Sequence, residues 1–236
     1  SSMAMLLYQH GGELYIDGNT RSGLGSEAAE KAFSTWVSMY ADYDLPTKYD
    51  PLTRFRSGEM PIVVEDFTFY NLLSVAAPEI RGLWSFVQVP GTIRENGETD
   101  HSVSSTGICC MMLSGCEDRE AAWTFMKWWT DAPNQADYGR EMENRLGVSA
   151  RYPSANVEAF SQMPWSAAEL KTLNQQWENV RAIPEVPGGY FTSRHLNNAF
   201  RRVLNDGDDP RETLLDYVKN IDKEIRTKRK EFGLTA

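Results

Sequence analysis

The stretch from Arg54 to Asn71 constrains this chain more than any other. It reads Arg-Phe-Arg-Ser-Gly-Glu-Met-Pro-Ile-Val-Val-Glu-Asp-Phe-Thr-Phe-Tyr-Asn. Its pattern is the end of a short helix, a glycine stop, an apolar run and the start of a second helix. Gly58 suits the left-handed residue that follows a helix C-terminus. Met60 to Val64 is a short apolar run bounded by turn signals, which predicts a strand covered on both faces. Where that strand would end, Glu65 and Asp66 meet Phe67, Phe69 and Tyr70. Asp66 reads as the N-cap of the next helix, whose first N–H groups would then face the same place. Ligands of open α/β sheets bind beyond the carboxyl ends of strands, so this is the first candidate for a site.

The chain alternates strand-like and helix-like segments. Leu6 to Ile16, interrupted by Gly11-Gly12, reads as an irregular strand or hairpin, and Asp17-Gly18-Asn19 as a turn. Ser26 caps a helix on which Ala29, Phe33, Trp36, Val37 and Tyr40 share one face, the pattern of a core stripe. Asp50-Pro51 opens a further helix. Phe67 to Ala77 is helical, Trp84 to Val89 strand-like, Asn96-Gly97 a tight turn, and Gly107 to Leu113 a second strand. Asp118 starts a tryptophan-rich helix, and Asp131-Ala132-Pro133 restarts one that continues to about Arg145. Ser166-Ala167-Ala168-Glu169 is a capping box, with Trp165 and Leu170 at its staple positions, for a helix that reaches about Arg181. A Pro-Gly-Gly loop, 183–191, leads to two final helices separated at Gly207, the second opening with Asp209-Pro210.

Charge and cysteine content narrow the function. A chain of 236 residues has room for one large or two small domains. A net charge of -9 offers nothing to a phosphate backbone, so no nucleic-acid partner is expected. The basic cluster Lys223 to Lys230 is interleaved with acids and reads as the solvated last turns of a helix. No apolar run approaches the ~20 residues of a membrane span. The opening Ser1-Ser2-Met3-Ala4-Met5 has no signal-peptide pattern and reads as a cloning remnant. Cys109, Cys110 and Cys116 form neither a disulfide framework nor a zinc pattern, and the adjacent pair reads as small core residues. No metal and no cofactor is expected.

The order of these pieces resembles a known family. Phe55-x-x-Gly58-Glu59-Met60 precedes the strand, and Pro90-Gly91 and a small-residue strand follow. Then come Ala121-Ala122-Trp123-x-Phe125-x-Lys127-Trp128-Trp129 and a last pair of helices. Together they resemble the carboxyl-terminal portion of the family 1 extracellular solute-binding proteins, the maltose-binding-protein-like substrate-binding components of ABC importers. The resemblance implies an α/β fold: a helix-rich, periplasmic-binding-protein-like (type II) lobe with a small mixed sheet. It implies a second lobe over 1–106, a segment over 107–165 crossing back toward a first lobe outside this chain, and cleft loop and helices over 166–236. It also implies a protein that is not an enzyme, a carbohydrate ligand caught between two lobes, ABC permease subunits as partners, and an extracytoplasmic place, periplasmic or as a cell-surface lipoprotein. Faces that would meet a first lobe are expected as an exposed apolar patch or a self-association contact.

Carbohydrate recognition needs flat apolar faces and planar polar groups. The resemblance places such groups at Phe67 and Tyr70 after the strand and at Tyr190 and Phe191 in the Pro-Gly-Gly loop. Glu65, Asp66 and Arg194 stand beside them as hydroxyl or carboxylate partners. The family's usual tryptophan after the strand is absent here. Two readings stay open at several of these positions: Asp66 as cap, Glu65 as strand end, Phe69 as core and Arg194 as a surface charge. Trp84 and Tyr152 are weaker candidates for the site, each reading first as a core or lobe-interface residue. Two further functions stay open, a scaffold of the same fold that binds no solute, and a glycoside hydrolase. Adjacent carboxylates do not provide the opposed pair, ~5 Å or more apart, that a glycosidase requires.

Overall fold

The computed structural model describes residues 2–105 and 107–234. Ser1 and Thr106, which enter the readings above, lie outside the described residues. In chain order the elements are α1 (Ser2–Gln9), β1 (Tyr15–Ile16), β2 (Arg21–Ser22), α2 (Glu27–Ala41), α3 (Pro51–Arg56), α4 (Phe69–Ala76), β3 (Thr92–Ile93), β4 (Thr99–Asp100) and β5 (Val103–Ser105). They continue with α5 (Arg119–Thr130), α6 (Ala132–Leu146), α7 (Val157–Ser161), α8 (Ala167–Trp177), β6 (Val180–Ala182), α9 (Tyr190–Asp206) and α10 (Pro210–Glu231). The fold is helix-rich α/β with small sheets: β1–β2 and β3–β4 are antiparallel pairs, and β5–β6 is parallel. Among the described residues no helix is long and apolar enough to cross a membrane. The chain forms two compact units, one from segments 1–48, 88–106 and 176–236, the other from 49–87 and 107–175.

Helix starts follow local chemistry. Ser26 accepts from the Ala29 N–H at 3.3 Å, Asp50 from Thr53 at 2.7 Å, Asp118 from Ala121 at 2.9 Å and Asp209 from Glu212 at 2.8 Å. The capping box closes from both sides: the Ser166 N–H donates to Glu169 Oε2 at 2.9 Å, and the Glu169 N–H donates to Ser166 Oγ at 3.2 Å. Each bond satisfies an otherwise orphaned terminal group.

The core of the first unit surrounds α1, on which Met3, Ala4, Leu6, Leu7, Tyr8 and Gln9 are all buried. This corrects the strand expected from Leu6. A helix apolar on every side has no 3.6-residue alternation to separate it from a buried strand. Only the expected hairpin turn survives, with Asp17, Gly18 and Asn19 all at positive φ between β1 and β2. Ala29, Phe33 and Val37 of α2 close over α1, and Trp36 stacks on Phe200 with centroids 4.4 Å apart. The buried Gln9 amide is fully used: Nε2 donates to the Pro90 and Ser102 carbonyls at 3.0 and 3.2 Å, and Oε1 accepts from Thr92 at 2.9 Å.

Three expected strands are absent. Residues 60–64 form no ladder, and Ile62 and Val64 are 79% and 52% exposed rather than covered. Residues 84–89 and 107–113 are likewise unpaired, with Val87, Ile108, Met111 and Leu113 on the surface. Cys109 and Cys110 are exposed, not core. An apolar run becomes a strand only where another strand takes up its N–H and C=O groups, and the described residues provide none there. The parallel ladder lies instead at Val103–Ser105 against Val180–Ala182, so α8 ends at Trp177, short of Arg181.

Gly188 has φ +82, and a Cβ added there would stand 3.0 Å from the Glu224 carbonyl oxygen. Gly207, the left-handed stop of α9 at φ +72, faces open space. Gly188→Ala should therefore lower the unfolding free energy by about 2 kcal/mol in urea titration, and Gly207→Ala by about 1 kcal/mol. Equal costs would show that the contact with α10 carries no weight.

Candidate functional site

In the second unit the 65–71 segment builds an aromatic cluster. Asp66 Oδ1 accepts from the Thr68 N–H at 2.9 Å and from the Thr68 hydroxyl, so one of its two oxygens is engaged in its own turn. Thr68, not Asp66, is the capping position, without a side-chain cap bond, and α4 starts two residues later than the sequence suggests. Glu65 is on the surface; partial shielding from water and then the Asp66 charge hold its pKa above the ordinary carboxylate value. Phe67 meets the fully buried Phe160 edge-on at 5.9 Å and points to the core. Tyr70 is the hub: its ring packs edge-on against Trp165 at 5.0 Å, Trp84 at 5.4 Å and Phe86 at 6.0 Å.

A buried charge pair sits behind this ring. Arg151 is 8% exposed and forks onto Glu143, Nε to Oε2 at 2.8 Å and Nη2 to Oε1 at 2.7 Å. Its guanidinium lies 4.4 Å from the Trp165 ring centre and 5.2 Å from that of Tyr70. The Asn71 amide donates to the Arg151 carbonyl at 3.0 Å, tying α4 to this loop. Burial disfavours the Arg151 cation, but Glu143 outweighs it and leaves the guanidinium pKa raised. Burial, and next the Glu169 carboxylate, push the Tyr70 hydroxyl up, against the pull of Arg151. For Glu169, burial is the largest influence and opposes ionisation; hydrogen bonds from Ser166 and Tyr70 and the Arg151 charge prevail, so its pKa is lowered. Beside these groups opens a cavity of about 520 Å³, with Tyr70, Trp84, Phe86 and Glu169 among its walls.

The second cluster lies in the first unit. Val186 is buried and anchors the Pro-Gly-Gly loop, and Gly188 and Gly189 let it pass close to α10 and to Tyr15. The Tyr15 hydroxyl donates to Thr192 Oγ1 at 2.9 Å and pins the first turn of α9. Tyr190 is 80% exposed and meets Phe191 edge-on at 5.5 Å. Arg194 is exposed and makes no ion pair among the described residues. The structure thus brings Phe67 and Tyr70 together in one unit and Tyr190, Phe191 and Arg194 in the other.

The sequence reading missed Arg151, Glu143 and Phe86, and it took Trp165 and Glu169 for local capping partners only. A lone Arg in Gly147-Val148-Ser149-Ala150-Arg151 has no periodicity or motif that announces burial. Among the described residues no group of three or more His, Cys, Asp or Glu is placed to hold a metal.

Residues 1–172 match the family model of the bacterial extracellular solute-binding proteins. The chain belongs to that family. No curated protein matches it. Among solved structures, this solute-binding protein is similar to the sugar-binding protein MalE of Xanthomonas citri, at TM-score 0.73 and 15% identity over 100% of this chain and 58% of that one. An ABC transporter solute-binding protein from Thermotoga lettingae bound with α-D-tagatose aligns at TM-score 0.67 and 16% identity, covering 95% of this chain and 56% of that one. The cyclic α-maltosyl-1,6-maltose binding protein of Arthrobacter globiformis aligns at TM-score 0.66 and 14% identity, covering 95% and 55%. The chain thus spans little more than half the length of these structures. On α5, Trp123, Phe125 and Trp128 are 53%, 58% and 52% exposed, and the Phe125 and Trp128 rings lie 5.7 Å apart.

Arg151→Met should cost about 3 kcal/mol or more in urea titration, because Glu143 is left buried and unpaired. Adding Glu143→Met should restore most of that loss. Glu169 titrates below its ordinary value of 4.5, so its stabilisation is complete above that pH and is lost as pH falls through the lower, folded value. Thermal melts of Glu169→Gln should accordingly show a shallower acid limb than the wild type.

Proposed function

We propose that this solute-binding protein captures a sugar or oligosaccharide outside the cytoplasm and delivers it to the permease of an ABC importer. The observation that carries the reading is the pairing of aromatic rings with ionised or hydrogen-bonding side chains around Tyr70, in a chain of this family. Rings offer flat apolar surface to sugar C–H groups, and carboxylate, amide and guanidinium groups bond neighbouring hydroxyls. Glu65, Asp66, Phe67 and Tyr70 form one set of proposed contacts, and Tyr190, Phe191 and Arg194 the other. Exposed Tyr190 and Arg194 are the freer members, while Phe67 and Asp66 give part of their capacity to packing and to a turn. Capture proceeds by hinge closure of two lobes around the ligand, and the closed form docks on the permease. The sugars bound by similar solute-binding proteins, α-D-tagatose and cyclic α-maltosyl-1,6-maltose, support the ligand class, and Asp66, engaged with Thr68 and adjacent to Glu65, does not supply the opposed carboxylates of a glycosidase.

Tyr190→Ala tests the reading cleanly, because an 80% exposed ring contributes little to the fold. Calorimetric titration with D-tagatose, maltose and maltotriose should show at least a tenfold loss of affinity for the best ligand, with the melting temperature unchanged. Unaltered affinity would remove Tyr190 from the site. Turnover of a chromogenic glycoside, abolished by Glu65→Gln, would replace the binding reading by a hydrolase.

A further inference from the structure

We propose that the outward face of α10 is a contact for an anionic lipid bilayer, made by Lys219, Lys223, Arg226 and Lys230. The inference rests on the extracytoplasmic, membrane-side place given above and not on the ligand. In sequence these cations are interleaved with Asp216, Asp222, Glu224 and Glu231, so the two signs mix along the chain. The helix separates them. Spacings of four, three and four residues put the cations on one strip, about 17 Å long at the ~1.5 Å rise of a helix. All four are exposed, whereas Leu214, Ile221 and Ile225 on the opposite side of α10 are buried.

The acids are taken up elsewhere. Asp222 Oδ1 accepts from the Ser22 N–H of β2 at 2.7 Å, and Glu224 is half-buried and off the strip. Glu231 pairs with Lys228 at 2.6 Å, and Asp216 with Lys219 at 2.8 Å where the strip begins. Lys223, Arg226 and Lys230 make no ion pair among the described residues. A straight line of cations fits a plane better than a pocket. Three of the four are Lys, flexible point charges that suit mobile headgroup phosphates. Just past the last turn Phe232 and Leu234 are exposed, apolar side chains of the type that enter the interfacial layer beside a basic helix face. The chain as a whole carries a charge of -9, so an anionic bilayer repels the molecule in general, and the strip sets the side that approaches.

The test combines Lys223→Gln, Arg226→Gln and Lys230→Gln in the full chain. A control combines Lys48→Gln, Lys127→Gln and Lys171→Gln, exposed positions whose loss changes the net charge equally. Each protein is sedimented at low salt with vesicles of equimolar phosphatidylglycerol and phosphatidylcholine, and with vesicles of phosphatidylcholine alone. At roughly fivefold per cation, partition of the strip variant onto the anionic vesicles should fall at least about thirtyfold, and that of the control by less than about threefold. Wild type should leave the phosphatidylcholine vesicles unbound. Equal loss in both variants would reduce the effect to net charge, and equal sedimentation of wild type with neutral vesicles would reduce it to apolar adsorption; either overturns the proposal. So does a wild type that stays in the supernatant, or one held by polyglutamate beads but not by vesicles, which would assign the strip to an acidic protein. Should the strip variant melt below wild type, the three single variants decide, each expected to bind about fivefold more weakly. No sugar enters these measurements, so each outcome leaves the carbohydrate reading to its own titration.

Discussion

The second unit depends on one buried ion pair. A guanidinium taken out of water is stable only if strong partners replace most of its hydration, and Arg151 has them on several sides although its Nη1 stays unpaired. Glu143 takes two of its N–H groups in a planar fork, and the rings of Trp165 and Tyr70 lie against it. The attraction is strong because water is excluded, and exclusion is also what would make either partner costly alone. Through Asn71 on the Arg151 carbonyl, the pair fixes α4 relative to the loop after α6; through Trp165, it fixes the entry to α8. Tyr70, Glu169 and the cavity beside them inherit their positions from that arrangement.

The first unit solves a similar problem without charge. Gln9 carries a neutral amide into the core on α1, and two carbonyls and one hydroxyl satisfy it. Arg94 bonds the Tyr8 carbonyl and pairs with Asp100, while the Tyr8 hydroxyl reaches the Ala182 carbonyl at 3.1 Å. These bonds tie α1 to the β3–β4 hairpin and to β6, which no apolar contact could do with the same directional specificity. On the other side, the Tyr15 hydroxyl bonds Thr192 in the first turn of α9, the turn that also carries exposed Tyr190.

Local chemistry was legible wherever a residue satisfies a neighbour in sequence. Ser26, Asp50, Asp118, Ser166 and Asp209 act as read, because a cap bond spans three residues and needs nothing distant. Strands failed for the opposite reason. Met60 to Val64, Trp84 to Val89 and Gly107 to Leu113 all have strand-like composition, but pairing depends on another segment, and none meets them here. The site shows the same division. Tyr70, Tyr190 and Phe191 were visible as aromatics beside turn and helix starts. Arg151 and Glu143 were not, since nothing in their neighbours says that they will be buried against each other.

The sequence by itself determined the helix starts capped by Ser26, Asp50, Asp118, Ser166 and Asp209, the glycine stops at Gly58 and Gly207, the acidic character and the family, because these follow from short-range bonding, backbone sterics and the order of motifs. Tertiary structure alone decided that α1 is a buried helix, that the 60–64 run stays unpaired, that α5 presents its tryptophans outward, and that Tyr70 is the centre of an aromatic cavity with a charge pair behind it. Burial and pairing are properties of two segments at once. One segment's residues state what it can offer, and only the fold states what it meets.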